Sequence, residues 1–426
     1  MHLPALNITD LFLGLWRGVL DCDKDDDRST WDWAVLQGDT WTRHGKTVAN
    51  ATPYLPGSFD RPPRNPAEKI SSGYKAWEFL LYMFSLGPGL FFGVLPDKYW
   101  HHFCKLVFAV RLLHQRSIPR EQLQLIHTSL VEFYQDFELL YYQRKTARLH
   151  FCRQSLHALL HLAPEVTRLG PPVYYTQWTM ERTIGNLGEE IKQPSDPYTN
   201  LSRRGLRRSQ VNALFSMIPS LNRERLCKLP RGAEDLGDGF LLLRARDTAK
   251  RPVSTEERHA IQRYIENSEN VALPPNWCPR VRKWARIRLP NGQVARSAWK
   301  ENQKPLDKVR MARNVKFRNA DNQTAFGEVQ YYFYTKVAGR HIPVALVSLY
   351  SAPDKDLLRR SHQTLWVCKY QGIGALQVID VKSIVSVVAM VPFPHSDEVG
   401  GSSSFFVAEK PGLEVAYLGG VEEECP

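Results

Sequence analysis

The spacing of apolar residues changes period partway along the chain, and this restricts the fold more than any single motif does. From Tyr74 to Leu149 apolar residues recur at helical intervals, and EQLQLIHTSLVEFYQDFELLYY keeps one apolar face over several turns. From Phe326 the period becomes two. FGEVQYYFYTKV alternates, and HIPVALVSLYS, TLWVCKY and LQVIDVKSIVSVVAMVPF follow as short β-rich runs. Helices gathered in one block and strands in another imply an α+β protein, a mostly helical N-terminal block followed by a small C-terminal β-barrel. The expected organisation is a helical block over 1–220 with a Pro-rich connector at 52–66, then a basic middle segment with a short hairpin over 221–320. The barrel takes 321–394, and a flexible acidic tail takes 395–426.

A length of 426 residues accommodates two or three cores, and 43% hydrophobic residues argue for packed structure rather than disorder. Seven cysteines without a CxxC pair read as reduced thiols of an intracellular protein and exclude zinc ribbons and zinc fingers. The N-terminal MHLPALNITDLFLGLW lacks the basic n-region and cleavage site of a secretory signal. Ala76 to Leu95 has the length of a membrane span, but Glu78 and the Gly87-Pro88-Gly89 break favour a buried helix, a turn and a second apolar segment. No membrane is expected as a partner.

The net charge of +12 is unevenly placed. Leu201 to Gly232 holds eight Arg or Lys against one Glu, and Arg280 to Arg318 holds thirteen against two acidic residues. Two separate basic clusters in an otherwise net-negative chain are the footprint of a polyanion, most simply DNA. The second cluster contains RLPNGQVARS, where Asn291-Gly292 signals a two-residue type I′ hairpin with Leu289 facing Val294 and Arg286 and Arg288 on the other side. A basic helix, RSQVNALFSMIP, follows the polar connector QPSDPYTNLSRRGLRR in the first cluster.

Other constellations are weaker. DCDKDDDRSTWD, Asp21 to Asp32, has carboxylates at several positions of a calcium loop, yet Asp26 stands where the turn needs glycine, so a solvated acidic loop fits better. His157 and His161 lie one helical turn apart among leucines and read as packing residues rather than zinc ligands. No GxxxxGK, GxSxG or Rossmann GxGxxG is present, so nucleotide hydrolysis and dehydrogenase chemistry have no motif. In TMERTIGNLGEEI, Met180, Ile184, Leu187 and Ile191 form an apolar stripe. Glu181 sits beside that stripe, with Gly185 and Gly188 four and seven residues further along its own row. Each glycine costs about 1 kcal/mol of helix stability relative to alanine. The cleared ground suits either a carboxylate that meets metal and phosphate or close packing of another element.

The run SLHALLHLAPEVTRLGPPVYYTQWTMERTIGNLGEEI resembles a segment of CACTA-type (En/Spm) transposases. In that segment a His, a His-Leu and a glutamate precede Leu-x-Gly-Pro-Val, an aromatic pair, [MF]-E-R and a Gly-containing helix. MHLPALNITDLFLGLWRGVLDCD, the stretch from Asp27 to Tyr82, and FGEVQYYFYTKV also resemble the C-terminal half of transposase-like proteins of mushroom-forming fungi. The resemblance implies an RNase H-like core interrupted by helices, with Met1 to about His161 matching the insertion and Glu181 matching the third acidic residue. It implies a nuclear protein whose partners are transposon DNA and other transposase subunits, and Mg²⁺ as a cofactor only in a complete core. The family's sheet and aspartates precede the position matching Met1, so the expectation is a truncated or degenerate fragment without a complete catalytic site. Such a fragment would bind DNA through Arg203, Arg204, Arg207, Arg208, Arg286, Arg288 and Arg296. The alternative is a host nuclear protein using an SH3- or BAH-like barrel for chromatin or protein contacts.

Overall fold

Pro88 falls inside a helix rather than at a turn. The computed structural model, which describes residues 2–59, 61–191, 195–221, 229–274, 276–394 and 404–412, carries the chain as α-helix over Ala76–Leu80, π-helix over Leu81–Leu86 and α-helix over Gly87–Phe91. A proline has no N–H to give and crowds the carbonyl four residues back, and a wider turn is one way a helix accommodates it. The carbonyl in question belongs to Phe84, and Arg111 supplies the missing donor: Nε reaches Phe84 O at 2.7 Å and Nη2 reaches Ser85 O at 3.0 Å. Burial pushes the Arg111 pKa down to about 10, which leaves it charged at neutral pH. The expected Gly-Pro-Gly turn is therefore a widened helix stapled by a partly buried arginine.

The same segment carries Glu78, fully buried, which Arg64 of the Pro-rich connector binds in a fork, Nε to Oε1 at 2.7 Å and Nη2 to Oε2 at 2.8 Å. Among the described residues no helix is long and apolar enough to cross a membrane. Around this segment lie the helices Thr9–Trp16, Asp97–Leu113 and Arg120–Phe137. Their core includes Phe12, Trp16, Trp33, Phe91, Trp100 and Tyr141, each essentially without exposure.

The acidic knot is exposed, as expected, at Asp21, Asp23, Asp25, Asp27 and Asp32, but not at Asp26. Asp26 is buried against Arg148, whose Nη2 lies 2.7 Å from Oδ1, and Trp31 Nε1 donates to Asp26 Oδ2 at 2.9 Å. Its neighbour Asp27 caps the short 3₁₀ turn Arg28–Thr30 through Ser29 N–H. His157 and His161, expected among leucines, are both exposed, with their Nε2 atoms 3.1 Å apart.

About 49% of the chain is helical and 18% strand, with the sheets toward the C-terminus, so the protein is α+β. The largest sheet is antiparallel, in the order Leu376–Asp380, Arg340–Leu349, Thr324–Val337, Asn314–Arg318, Ile384–Val387. Its two outermost strands are joined by the three residues Val381–Ser383. A flat five-stranded sheet separates its edges by about 19 Å, whereas three linking residues reach at most about 14 Å, so the sheet must curl strongly. It does not close: no ladder joins Leu376–Asp380 to Ile384–Val387, and the expected barrel is an open, curled sheet.

A second, three-stranded sheet has Ser404–Ala408 at its centre, between Val367–Lys369 and Ala389–Pro392. The span expected as a flexible tail thus includes a buried strand, and Phe406 and Ala408 belong to the same core as the helices. Residues 395–403 and 413–426 of that span lie outside the described residues.

Candidate nucleic-acid interface

Glu181 lies on the helix Trp178–Glu190, in its first turn, with its side chain half exposed. A β-carbon at Gly185 or Gly188 would meet nothing within 4 Å, so no other element of the described chain uses the cleared ground for close packing. The apolar stripe beside it is not buried either, since Met180 is 53% and Ile184 60% exposed. Among the described residues Glu181 meets His2, with Nε2 4.0 Å from Glu181 Oε1. No group of three or more His, Cys, Asp or Glu side chains that could hold a metal occurs among the described residues. Two-metal phosphoryl chemistry needs several carboxylates converging on one point. Glu181 and His2 do not supply that convergence, and the described residues around them compose no two-metal site.

Arg203, Arg204, Arg207 and Arg208 of the first cluster fall inside a helix, Pro197–Met217, and not in the polar connector expected before it. Pro197 starts the helix because its ring presets the dihedral of the first turn and its missing N–H would have no helical partner. The helix has no buried residue along its length. Spacing divides the arginines into two rows. Arg204 and Arg208 turn to Glu190 of the preceding helix, Arg204 Nη1 at 3.5 Å from Oε2 and Arg208 Nη2 in a close contact with Oε1. Arg203 and Arg207, also four apart, are exposed and have no carboxylate partner among the described residues.

Arg286, Arg288 and Arg296 sit on a ribbon built from the strands Arg286–Arg288 and Val294–Arg296. The connection is a three-residue loop rather than a type I′ turn: Leu289 N–H donates to Gln293 O at 2.8 Å, Gly292 N–H donates to Leu289 O at 3.0 Å, and only Gly292 has a positive φ, +83°. Pro290 explains the difference, because it presets the first dihedral of a type I turn and passes the left-handed position on to Gly292. Register follows from this loop, and Val294 lies opposite Arg288 instead of Leu289. Ile287 and Leu289 face the core, with Ala295 paired to Ile287. Arg286 is paired directly with Arg296, and Arg288 follows two residues along on the same side.

Like charges directly opposite on a ladder are destabilising. Arg286 and Arg288 have no carboxylate partner among the described residues; Arg296 lies near Glu301, a buried carboxyl whose pKa burial raises although it accepts the Ala312 N–H. The alternation of Arg244 and Arg246 after Leu241-Leu242-Leu243 could have extended the sequence reading to the segment that follows the strand Leu241–Leu242, where Arg246 bridges to Trp284, stacks 4.9 Å over its ring and pairs with Glu234. No hydrogen bond or ion pair among the described residues joins this ribbon to the Pro197–Met217 helix.

Compared with known proteins, the chain gives no significant match to any family model, curated protein or solved structure.

Proposed function

We propose that the protein binds DNA through two arginine surfaces, the Arg286–Arg288–Arg296 ribbon and the Arg203–Arg207 row, as a non-catalytic part of a CACTA-like transposase acting in the nucleus. The observation that carries this reading is the direct pairing of Arg286 with Arg296 beside Arg288. A placement that costs stability in the free protein is relieved when phosphates lie across it, and phosphate contacts supply most of the affinity for DNA. The sequence resemblance supports the transposase reading. Strand cleavage and Mg²⁺ binding then require acidic residues contributed from beyond this chain, and other transposase subunits are the natural source.

The test is fluorescence anisotropy with a duplex of arbitrary sequence over a range of salt. The wild type should lose affinity steeply as salt rises, and the triple variant R286A/R288A/R296A should flatten the log–log slope by about 2 to 3, at ~0.9 per phosphate contact. An unchanged slope in the triple variant overturns the reading.

A second reading, an SH3- or BAH-like module that contacts chromatin proteins, draws support from the curled sheet whose two edge strands are linked by one short 3₁₀ turn. It predicts a protein ligand whose affinity survives loss of the three arginines.

A further inference from the structure

The five-stranded sheet has two edges, and only one of them is plugged. Along Ile384–Val387 the side chains of the hairpin loop act as a substitute strand: Gln293 Oε1 accepts Val387 N–H at 2.9 Å, Gln293 Nε2 lies 3.4 Å from Val387 O, and Asn291 Nδ2 donates to Val385 O at 3.0 Å. Both amides are held by the loop geometry, and Gln293 is buried.

The opposite edge, Leu376–Asp380, has nothing comparable. Among the described residues its outward carbonyls meet side chains only at the two ends, where Arg263 Nη2 donates to Leu376 O at 3.2 Å and Ser383 Oγ donates to Asp380 O at 2.7 Å. The contact at Leu376 sets the parity of the strand, and the one at Asp380, four residues on, agrees with it. In an antiparallel pair successive residues alternate between facing the neighbour and facing away, so Leu376, Val378 and Asp380 turn their N–H and C=O groups away from Arg340–Leu349. An edge of this kind is a template for another strand, and proteins ordinarily cover, charge or bend it.

A groove of about 600 Å³ runs along this edge, at the seam where the curled sheet fails to close. One wall is the helix Thr255–Glu269, through Ala260, Arg263 and Tyr264; the other is the turn at Arg318 and Asn319. The volume falls within the usual ~300–1,000 Å³ of ligand clefts. At its end stands Ile373, 73% exposed, on the 3₁₀ turn Gly372–Ala375 whose Gly374 and Ala375 line the groove.

We propose that this groove binds an extended peptide that adds a strand to Leu376–Asp380 and presents a carboxylate to Arg263. Backbone chemistry selects the occupant: the outward N–H groups of residues 376, 378 and 380 and the Val378 carbonyl recur at strand spacing, which a second strand matches and a helix or duplex does not. The Leu376 and Asp380 carbonyls keep their bonds to Arg263 and Ser383. Arg263 and Arg318 outnumber Asp380 on the groove walls and favour an acidic side chain, while Ile373 offers an apolar contact to the end of the peptide. This site is separate from the arginine ribbon, and its ligand is independent of the DNA reading.

The experiment is selection of a random decapeptide phage library on the full chain, followed by affinity measurement with the synthetic peptides recovered. Asp380 has φ −63°, proline's own value, so Asp380→Pro deletes an outward N–H without bending the strand. Asp380→Pro should weaken the selected peptides at least tenfold, and Arg263→Glu should do the same to those carrying an acidic residue. Circular dichroism of both variants checks the fold, and Arg263→Glu alone decides should Asp380→Pro not fold. Absence of enrichment over a blank surface, peptides indifferent to both substitutions, or displacement of the peptides by duplex DNA would each overturn the proposal.

Discussion

Gly89 lies under the ring of Phe406. A β-carbon at this position would come within 2.9 Å of three ring carbons, and the ring itself is 1% exposed. Residues more than 300 apart in the chain are thereby brought into contact, joining the helical core to the central strand Ser404–Ala408. Gly89→Ala should cost about 1–3 kcal/mol by overpacking, read from a denaturant midpoint. Combined with Phe406→Leu, which opens room, the loss should be less than the sum of the two single losses. An additive pair would show that the contact is looser than described.

Asp26 and Arg148 form a buried ion pair in which each carries further partners, Trp31 Nε1 on the carboxylate and Thr30 Oγ1 at 2.9 Å from Arg148 Nη2. Asp26→Ala leaves a guanidinium buried without its counter-charge and should cost about 3–5 kcal/mol. Burial raises the Asp26 pKa, but the bonds from Arg148 and Trp31 outweigh it and hold the carboxyl below its ordinary value. With the folded pKa depressed, the contribution is fully present above the unfolded value of about 3.9 and fades as pH falls through the folded one. Stability measured below pH ~4 should therefore fall less steeply in Asp26→Asn than in the wild type.

His102 stacks 4.2 Å from Phe133 and bonds its backbone carbonyl through Nε2 at 2.9 Å. Burial pushes the His102 pKa down to about 4 and that of His44 down to about 3. Both are held neutral in the folded chain but take a proton near pH 6.5 when unfolded. Their contribution is complete above that value and declines toward the folded pKa, by up to about 1.4 kcal/mol per pH unit for each histidine. A urea midpoint followed from pH 7 to 4.5 should drop, and His102→Gln, whose amide can still donate to the Phe133 carbonyl, should flatten part of the drop. An equal slope in the variant would remove His102 as a cause.

Gly185 and Gly188 face open space, so their cost to the helix Trp178–Glu190 is not offset by packing among the described residues. Each substitution to alanine should slow amide hydrogen exchange in this helix, by about 1 kcal/mol of local stability. Faster exchange would indicate a close approach that the described residues do not contain. Glu181→Gln should leave both exchange and DNA affinity unchanged. Within the proposed transposase reading, a strand-cleavage assay in the presence of a second transposase subunit gives the catalytic test: only a loss of cleavage by Glu181→Gln would keep this residue in a catalytic role.

The order of helices and strands is legible in the sequence because it depends on local periodicity. The helices Asp97–Leu113 and Arg120–Phe137 lie within the span of helical periodicity, although the second stops well before Leu149, and Asn291-Gly292 correctly marks a hairpin. Its turn type differs from the expectation because Pro290, one residue earlier, sets the dihedral that decides it. The Gly-Pro-Gly break misleads for a non-local reason: Arg111, more than twenty residues away, satisfies the carbonyls that Pro88 leaves without a donor. Asp26 looks like any other member of an acidic run, since nothing near it in sequence shows that Arg148 will bury it. At the candidate interface, the arginines are recognisable by composition, but their exposure and pairing depend on register. The Met180–Ile184 stripe shows the opposite failure, a helical apolar face that the described chain leaves uncovered.

The Arg286–Arg296 pair allows stability and binding to be separated. If these arginines served the fold, replacing one would destabilise it. Opposed like charges instead cost about 0.2–1 kcal/mol, so Arg286→Ala should raise the denaturant midpoint slightly in low salt, and the gain should shrink as salt screens the repulsion. The same substitution should weaken DNA binding and reduce the salt slope by about 1. Arg296→Ala is a different case, because Arg296 lies near Glu301 and helps offset the burial that raises its pKa. Its removal should raise the Glu301 pKa further and cancel the stability gain. Two neighbouring arginines should thus give similar losses of DNA affinity but a stability gain for only one of them, a pattern that a purely structural role for the ribbon does not produce.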